Sequence, residues 1–426
     1  MQPPVKSAVH GGVALAGLAA FLLGIWILWY FRPFANSIHA CLFLIALVAI
    51  AVSTADLFWQ KVYRRASTGL DGSRREYSFS RTGTKLLGLL GSFGFISLLY
   101  WLFPEYHGGF YRHYYAMLEI LLPVWLLAAV PYFYFLDSRM ASPRDGYWQL
   151  GRLLLCRWAD VDYTLLRQHL LGWLIKGFFL PLMFVYMSND LGGIEAFRFS
   201  GLDSFKSFYD FGYSFIFFTD VTLATMGYIV TLRLTDTHIR SPEPTLLGWA
   251  AALVCYEPFW SLIGGHYLAY DTGRPWGVWL WGHPVVYVLW GSAILLLLAC
   301  YVSATITFGC RFSNITHRGI LTNGPYRFTK HPAYVAKNLS WWLISVPFVA
   351  QGTVGETLRN CLLLLGVNGI YYLRAKTEEW HLSRDPVYVQ YAQWINEHGL
   401  FSRMARLKPL RFLAYRVPAE VACKIQ

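Results

Sequence analysis

The sequence predicts an all-α membrane protein, a polytopic bundle of about ten transmembrane helices with a C-terminal helical hairpin and a cytosolic cap. Three observations support this prediction. Hydrophobic residues make up 56% of the 426 residues and charged residues only 14%, against roughly 25% charged residues in soluble domains. Several apolar stretches are long enough to cross a bilayer core of about 30 Å. The basic residues gather in alternate loops, as the positive-inside rule requires.

The predicted spans follow the apolar stretches in chain order, and the mean hydropathy of the chain is +0.38. The first apolar segment is longer than the core of a signal peptide, so we interpret it as a retained span. The ten predicted spans cover residues 12–31, 36–58, 84–104, 114–136, 169–187, 206–232, 246–268, 277–307, 338–352 and 356–374.

The orientation follows from the loops 61–85 and 137–168, which are rich in Arg and Lys and are therefore predicted to be cytoplasmic. Both termini and the basic segment 308–337 then also fall in the cytoplasm. The net charge of +12 lies in these loops and not on one soluble face, which argues against a nucleic-acid partner. We expect membrane lipids to be the main surroundings of the chain.

Two regions differ in character. Residues 1–300 form a predicted transmembrane bundle that contains a possible substrate chamber, and residues 301–426 form a C-terminal membrane domain with a cytosolic tail. The last two predicted spans are short and are joined by the tight, Gly-containing turn 351–356. A helical hairpin therefore fits this region better than two independent spans.

Several classes of site are excluded by missing motifs. The sequence has no G-x-G, no Walker A motif and no G-x-S-x-G, so a Rossmann or P-loop nucleotide site is not expected. The seven cysteines include no C-x-x-C pair, and the twelve histidines form no closely spaced pairs. We therefore predict neither a disulfide framework nor a metal site.

Two polar segments stand out near the C-terminus. The first is Gly-Pro-Tyr-Arg-Phe-Thr-Lys-His-Pro-Ala-Tyr at 324–334, and the second is Arg-Ala-Lys-Thr-Glu-Glu-Trp-His-Leu at 374–382, followed by Tyr388 and Tyr391. A helix that starts at Pro332 leaves His331 at its N-terminal end, which favours negative charge. Because the predicted hairpin joins the two segments, we expect them to meet at one membrane surface.

These two segments resemble the paired signatures of the isoprenylcysteine carboxyl methyltransferase and phospholipid N-methyltransferase superfamily, an R-H-P-x-Y element followed by an E-E-x-x-L element. The resemblance covers roughly residues 300–402. It implies a membrane methyltransferase that binds S-adenosylmethionine from the cytosol and receives a lipophilic small molecule or lipid through the membrane. It implies catalytic roles for Arg327 and Glu378. It implies cofactor binding by Tyr326, Arg327, His331, Pro332, Tyr334, Glu378, Glu379 and Leu382.

The residue types suit the chemistry of that cofactor. Arg327, His331 and the backbone N–H groups at the helix start match its carboxylate, and Glu378 or Glu379 its ammonium. Tyr326, Tyr334 or Trp380 match its adenine and sulfonium. The acceptor stays open between a prenylated thiol or carboxylate, a phospholipid amine and another membrane-dissolved molecule.

The sequence departs from the family pattern at two positions. Lys330 stands where the common motif has Arg, and Lys337 occupies a position that is often small or acidic. Two other functions stay open: an NADPH-dependent membrane reductase of the sterol reductase type, which also carries a His-Pro-x-Tyr element, and a non-catalytic lipid-binding or transport bundle.

Four ionisable residues interrupt apolar stretches of the N-terminal bundle: Lys176, Asp220, Glu257 and His283. Such groups are costly in a membrane and normally face a cavity or a partner. We interpret them as pointers to a substrate chamber, with structural charge pairs as the alternative. Trp341 and Trp342 are expected at the membrane interface, where they are also candidates for a lipid entrance.

Overall fold

The structure, a computed structural model, describes residues 3–197, 204–271, 273–349 and 352–418. Regular structure within these ranges is helical apart from one short antiparallel ribbon of Ser241–Pro242 (β1) and Thr316–His317 (β2). The all-α prediction is confirmed. The α-helices are α1 Gly11–Phe31, α2 Ser37–Thr54, α3 Phe79–Leu102, α4 Arg112–Asp137, α5 Gly146–Leu154, α6 Tyr163–Ala196, α7 Phe205–Ile229, α8 Leu246–Leu253, α9 Phe259–Ile263, α10 Trp276–Trp279, α11 Pro284–Thr307, α12 Pro332–Ser345, α13 Val354–Leu382 and α14 Pro386–His398.

Six helical segments of the described chain are long and apolar enough to cross a membrane. They support a membrane-spanning protein by length and composition. They are Gly11–Phe31, Ser37–Trp59, Phe79–Leu102, Gly109–Asp137, Tyr163–Ala196 and Pro284–Thr307.

The region 246–268 does not form the continuous helix that its apolar composition predicts. It is divided into α8 and α9, which are separated by a turn that contains Pro258. Proline removes a helix hydrogen bond and clashes with the carbonyl four residues earlier, which explains the break. Helix α13 is longer than predicted, since it continues to Leu382, well past the predicted end at 374. Glu378 and Glu379 therefore lie on its last turns.

Helices α3 and α5 cross at unusually short range. A Cβ atom on Gly88 of α3 would lie 1.9 Å from the carbonyl oxygen of Tyr147, and one on Gly151 of α5 would lie 2.0 Å from that of Thr84. Only glycine permits this approach, in the way that small residues allow close helix contacts in membranes. The amphipathic helix α5 is thereby fixed against the start of α3.

The loops at one end of the bundle contact one another and form what we call the polar layer, comprising residues 61–78, 138–145, 230–245, 309–331 and 383–418. Arg65 donates to the carbonyl of Ala8 at 2.6 Å, and His317 lies 3.3 Å from Asp385. The described chain near both of its ends also packs here, since Val5 and Val417 join one hydrophobic cluster. Basic loops that the sequence predicts on one side of the membrane therefore lie together.

A buried network, here called the central cluster, consists of Asp56, Arg65, Asp236, Arg240 and Arg311. Asp236 is fully buried and lies 3.2 to 3.6 Å from Arg65, Arg240 and Arg311. Arg311 also pairs with Asp56 at 3.3 Å. These contacts tie the end of α2 and the loop after α7 to the segment that follows α11.

Arg318 lies in the same region as the central cluster, but it forms no ion pair with any described residue. Its guanidinium donates to five backbone carbonyls, and its side chain is buried. Burial lowers the pKa of Arg318 to about 9. Within the basic segment 308–337, Arg311 and Arg318 are therefore interior residues, because both satisfy backbone or carboxylate groups there.

Candidate functional site

The first polar segment forms a turn followed by a helix start. Residues Gly324–Arg327 make one 3₁₀ turn, and Gly324 has φ +55° with Thr307 only 2.7 Å from the position of a Cβ atom. A side chain there would be strained by its φ and would contact Thr307, which explains the glycine. Pro332 is buried at the first position of α12, and His331 precedes it as the N-cap, as the sequence predicts.

Glu379 is the centre of a tight ionic group. One of its carboxylate oxygens lies 2.7 Å from Lys330 Nζ and 3.3 Å from His331 Nε2, and the other lies 2.8 Å from Lys376 Nζ. Its side chain is only 4% exposed. Burial alone would raise the pKa of Glu379, but the hydrogen bond and charge of His331 and the charges of Lys330 and Lys376 lower it to about 2. Glu379 is therefore ionised and fully engaged by the protein itself.

Glu378 has a more open environment. Its carboxylate accepts a hydrogen bond from Tyr334 Oη at 2.9 Å and lies 3.9 Å from His331 Nδ1. Its side chain is 39% exposed. The rings of His331 and Tyr334 stack with centroids 5.5 Å apart. Of the two glutamates that the sequence offers for a ligand ammonium, Glu378 is the one with acceptor capacity left.

Arg327 Nε and Tyr388 Oη are among the buried side-chain atoms of the described chain that have no hydrogen-bond partner. Buried polar groups are normally paired, so each of these two atoms is a candidate to contact a ligand. The neighbouring backbone is fixed, because Tyr391 Oη donates to the carbonyl of Tyr326 at 2.6 Å. Leu382 packs with Tyr388 in the hydrophobic contact between α13 and α14.

Next to Glu378 lies an aromatic cluster, which we define by Tyr256, Tyr334, Tyr371 and Trp341 packed around Arg374. The Arg374 guanidinium lies 5.5, 5.2 and 6.0 Å from the ring centroids of Tyr256, Tyr334 and Tyr371. Trp341 packs edge-on against Tyr371 at 5.1 Å. Cation–π contacts of this kind stabilise a buried guanidinium.

Arg374 also donates to Asn314 Oδ1 at 2.6 Å. The sequence analysis did not assign Arg374, Asn314 or Tyr256 to the site. The position of Arg374 one helical turn before Glu378 was an available signal, since residues i and i+4 share a helix face. No such signal exists for Tyr256, which is distant in sequence.

The four interrupting ionisable residues have different surroundings. Asp220 is buried and accepts hydrogen bonds from Tyr301 and from Thr305. Lys176 lies over the ring of Trp173 at 4.6 Å. Glu257 accepts from Ser261 at 2.6 Å, and His283 is exposed at the start of α11. Only Asp220 and Lys176 are therefore enclosed in the bundle.

Lys337, one of the two departures from the family pattern, points its ammonium at aromatic rings. Its Nζ lies 5.2 Å from the centroid of Tyr301 and 5.6 Å from that of Trp341. Because Tyr301 also donates to Asp220, the lysine and the buried carboxylate share one tyrosine. Contacts between cations and aromatic rings thus extend from Arg374 to Lys337.

Comparisons with protein-family models, with curated proteins and with solved structures found no match to this chain. The family resemblance therefore rests on the two sequence motifs. The described residues contain no group of three His, Cys, Asp or Glu side chains that could hold a metal ion.

Proposed function

We propose that this protein is an integral membrane methyltransferase that uses S-adenosylmethionine and acts on a lipophilic acceptor. The observation that carries the proposal is the meeting of the two motif segments. Tyr334 and Glu378 are 44 residues apart in sequence, and His331 and Glu379 are 48 apart, yet each pair is in contact. A lipid bundle without a polar ligand has no need to keep a half-exposed carboxylate where these two segments meet.

The residues present fit the cofactor. Arg327 and the backbone N–H groups at the start of α12 would hold the carboxylate of its amino acid end, and Glu378 would hold the ammonium. Tyr326 and Tyr334 offer faces for the adenine and the sulfonium, and Pro332 and Leu382 shape the surrounding wall. S-adenosylmethionine supplies a methyl group on a positively charged sulfur. Glu379, held by Lys330, His331 and Lys376, would position the segment and not bind the ligand directly.

The side of the aromatic cluster is the proposed place of the acceptor. Tyr256, Tyr371 and Trp341 would offer the apolar surface that a lipid-like molecule requires. The protein would align the acceptor and exclude water, which is most of what methyl transfer to an ionised acceptor needs. Lys337 would favour an acceptor that carries a negative charge close to these aromatic residues, such as a carboxylate or thiolate.

The proposed topology has ten crossings with both termini and the cofactor site in the cytoplasm. The six long apolar helices supply six crossings. Helix α7, the broken segment 246–263, α12 and α13 supply the remaining four. The orientation follows the positive-inside distribution of the basic loops that form the polar layer.

Binding to detergent-purified protein tests the proposal. We expect S-adenosylmethionine to bind and NADPH not to bind, and Arg327→Ala to weaken the affinity roughly 10- to 100-fold, because a hydrogen bond to a charged group contributes about 1.5–3 kcal/mol. Arg403→Ala is the matched control, since Arg403 is exposed in the same polar layer. Binding of NADPH instead would indicate a reductase, and binding of neither a non-catalytic bundle.

A further inference from the structure

A polar cavity of about 620 Å³ lies where α3 meets α5 and the loops before them. It is lined by Arg74, Arg81, Arg144 and Arg152, by four Ser or Thr hydroxyl groups and by Trp148. None of the residues that line it carries a carboxylate. This cavity involves none of the residues of the candidate methyltransferase site.

Three of the four arginines are paired with carboxylates that do not line the cavity. Glu76 pairs with Arg74 at 2.5 Å, Asp137 pairs with Arg81, and Asp160 pairs with Arg152. Asp137 is shared with the buried Lys85, 2.7 Å away. Part of the negative charge of Asp137 is thus neutralised by a buried lysine, while the guanidinium groups line the cavity.

Arg144 is the least compensated of the four arginines, since it makes no ion pair with any described residue. Arg144 and Arg152 both lie over the ring of Trp148, at 5.1 and 5.2 Å from its centroid. Arg152 pairs with Asp160 through one terminal nitrogen, while its Nε is buried without a hydrogen-bond partner among the described residues. Two guanidinium groups held over one indole repel each other, and an anion between them would relieve this repulsion.

The donor set selects the chemistry of the anion. Planar guanidinium groups combined with hydroxyl groups match the several oxygen atoms of a phosphate, and bidentate contacts make arginine the preferred residue for phosphate recognition. The volume is within the range of pockets that bind small molecules. A phosphate group that carries a larger substituent therefore fits this cavity.

The surroundings favour a membrane lipid as the source of that phosphate. The cavity lies at the polar ends of α3 and α4, both of which belong to the candidate membrane spans. Tyr77 is 45% exposed just before α3, and its ring stacks with that of Tyr134 near the end of α4. Exposed tyrosine residues at helix ends are typical of the bilayer interface.

We propose that this arginine cavity binds the phosphate-bearing headgroup of an anionic membrane lipid, with the acyl chains along α3 and α4. The same chemistry would accept a soluble organic phosphate, so the source is decided by experiment. The inference does not depend on the methyltransferase proposal, because its test measures lipid binding and not cofactor binding or activity.

The test is native mass spectrometry of the full-length protein in detergent, with three probes: phosphatidylglycerol, a diacylglycerol with the same chains, and glycerol 3-phosphate. We expect phosphatidylglycerol to bind and diacylglycerol not to bind. Arg144→Gln should weaken phosphatidylglycerol binding roughly tenfold, the effect of losing one charge-assisted contact. The control is Arg157→Gln, because Arg157 is an exposed arginine of the same region that does not line the cavity.

Equal binding of phosphatidylglycerol by the two variants, or equal binding of diacylglycerol and phosphatidylglycerol, overturns the proposal. Binding of glycerol 3-phosphate as tight as that of phosphatidylglycerol overturns the lipid source. The Arg144 side chain makes no hydrogen bond or ion pair with any described residue, so we expect the variant to fold. A second measurement needs no variant: added salt should weaken phosphatidylglycerol binding to the unaltered protein, and salt-independent binding contradicts the proposal.

Discussion

Two charged groups at the polar end of the bundle differ in how their carboxylates are held. In the central cluster, Asp236 is fully buried and lies within 3.6 Å of three arginines. In the candidate site, the Glu378 side chain is 39% exposed and contacts Tyr334 and His331 but no lysine or arginine of the described chain. The basic segment 308–337 contributes Arg311 to the first group and His331 to the second.

The difference teaches that a buried carboxylate surrounded by several cations marks a structural role, whereas a half-exposed carboxylate with no lysine or arginine partner marks a group that can still bind a ligand. Removing one member of a buried ion network leaves other charges buried and unpaired, which is strongly destabilising. Removing a group that faces a ligand costs binding and little stability. Glu379 and Glu378, adjacent in sequence, fall on opposite sides of this division.

The largest effect on stability is expected at Asp236, in the middle of the central cluster. Asp236→Asn should lower the free energy of unfolding by roughly 3–5 kcal/mol, because three guanidinium groups lose a shared buried counter-charge. Thermal unfolding in detergent and the yield of folded protein in membranes measure this. The control is Asp210→Asn, an exposed partner of Lys206, for which no change is expected. An Asp236→Asn variant as stable as the wild type would contradict the structural role proposed for this buried carboxylate.

A somewhat smaller loss, roughly 2–3 kcal/mol, is expected for Glu379→Gln, because Lys330 and His331 lose their counter-charge. The folded state lowers the pKa of Glu379 from 4.5 to about 2. Its contribution is therefore complete above the unfolded pKa of 4.5 and is lost as the pH falls toward 2. Melting temperatures measured from neutral to acidic pH should fall less in the variant than in the wild type. Parallel pH curves would show that Glu379 is not the acid-sensitive group.

The neighbouring change sharpens the contrast. Glu378→Gln should leave the melting temperature unchanged, since Tyr334 can still donate to the amide oxygen. The affinity for S-adenosylmethionine should fall roughly 10- to 100-fold, because the ammonium loses a charged partner. Isothermal titration of both variants gives the comparison. A loss of stability in Glu378→Gln with unchanged affinity would place Glu378 with the structural charges.

The smallest effect is expected for Tyr388→Phe. The Tyr388 hydroxyl has no partner among the described residues, so its removal should leave stability unchanged or slightly higher. The affinity for S-adenosylmethionine should fall by roughly twofold to tenfold, as for one neutral hydrogen bond. Tyr391→Phe is the matched control, because the Tyr391 hydroxyl is bonded to the backbone of Tyr326 and its loss should lower stability instead. Unchanged affinity in Tyr388→Phe would remove Tyr388 from the proposed ligand site.

The fold and the site could be predicted from sequence to different extents. Long apolar runs identified α1, α2, α3, α4, α6 and α11, because a span of about 20 residues leaves a compositional record. Composition could not locate the break between α8 and α9, since it does not distinguish a continuous helix from a turn at Pro258. The meeting of His331 with Glu379 followed from the hairpin that joins their segments. The contacts of Arg374 with Tyr256 and Asn314 join residues that are distant in sequence and left no such record.

The sequence by itself determined the helical class, the six long apolar helices, the start of α12 at Pro332 and the two polar segments that form the candidate site. These features depend on local composition and on helix termini, which act over a few residues. Only the tertiary structure decided which charges are paired: it buried Arg311 and Arg318, gave Glu379 three cations and left Glu378 half-exposed. Burial and pairing depend on neighbours brought together by packing, and two adjacent glutamates on different faces of one helix meet different neighbours.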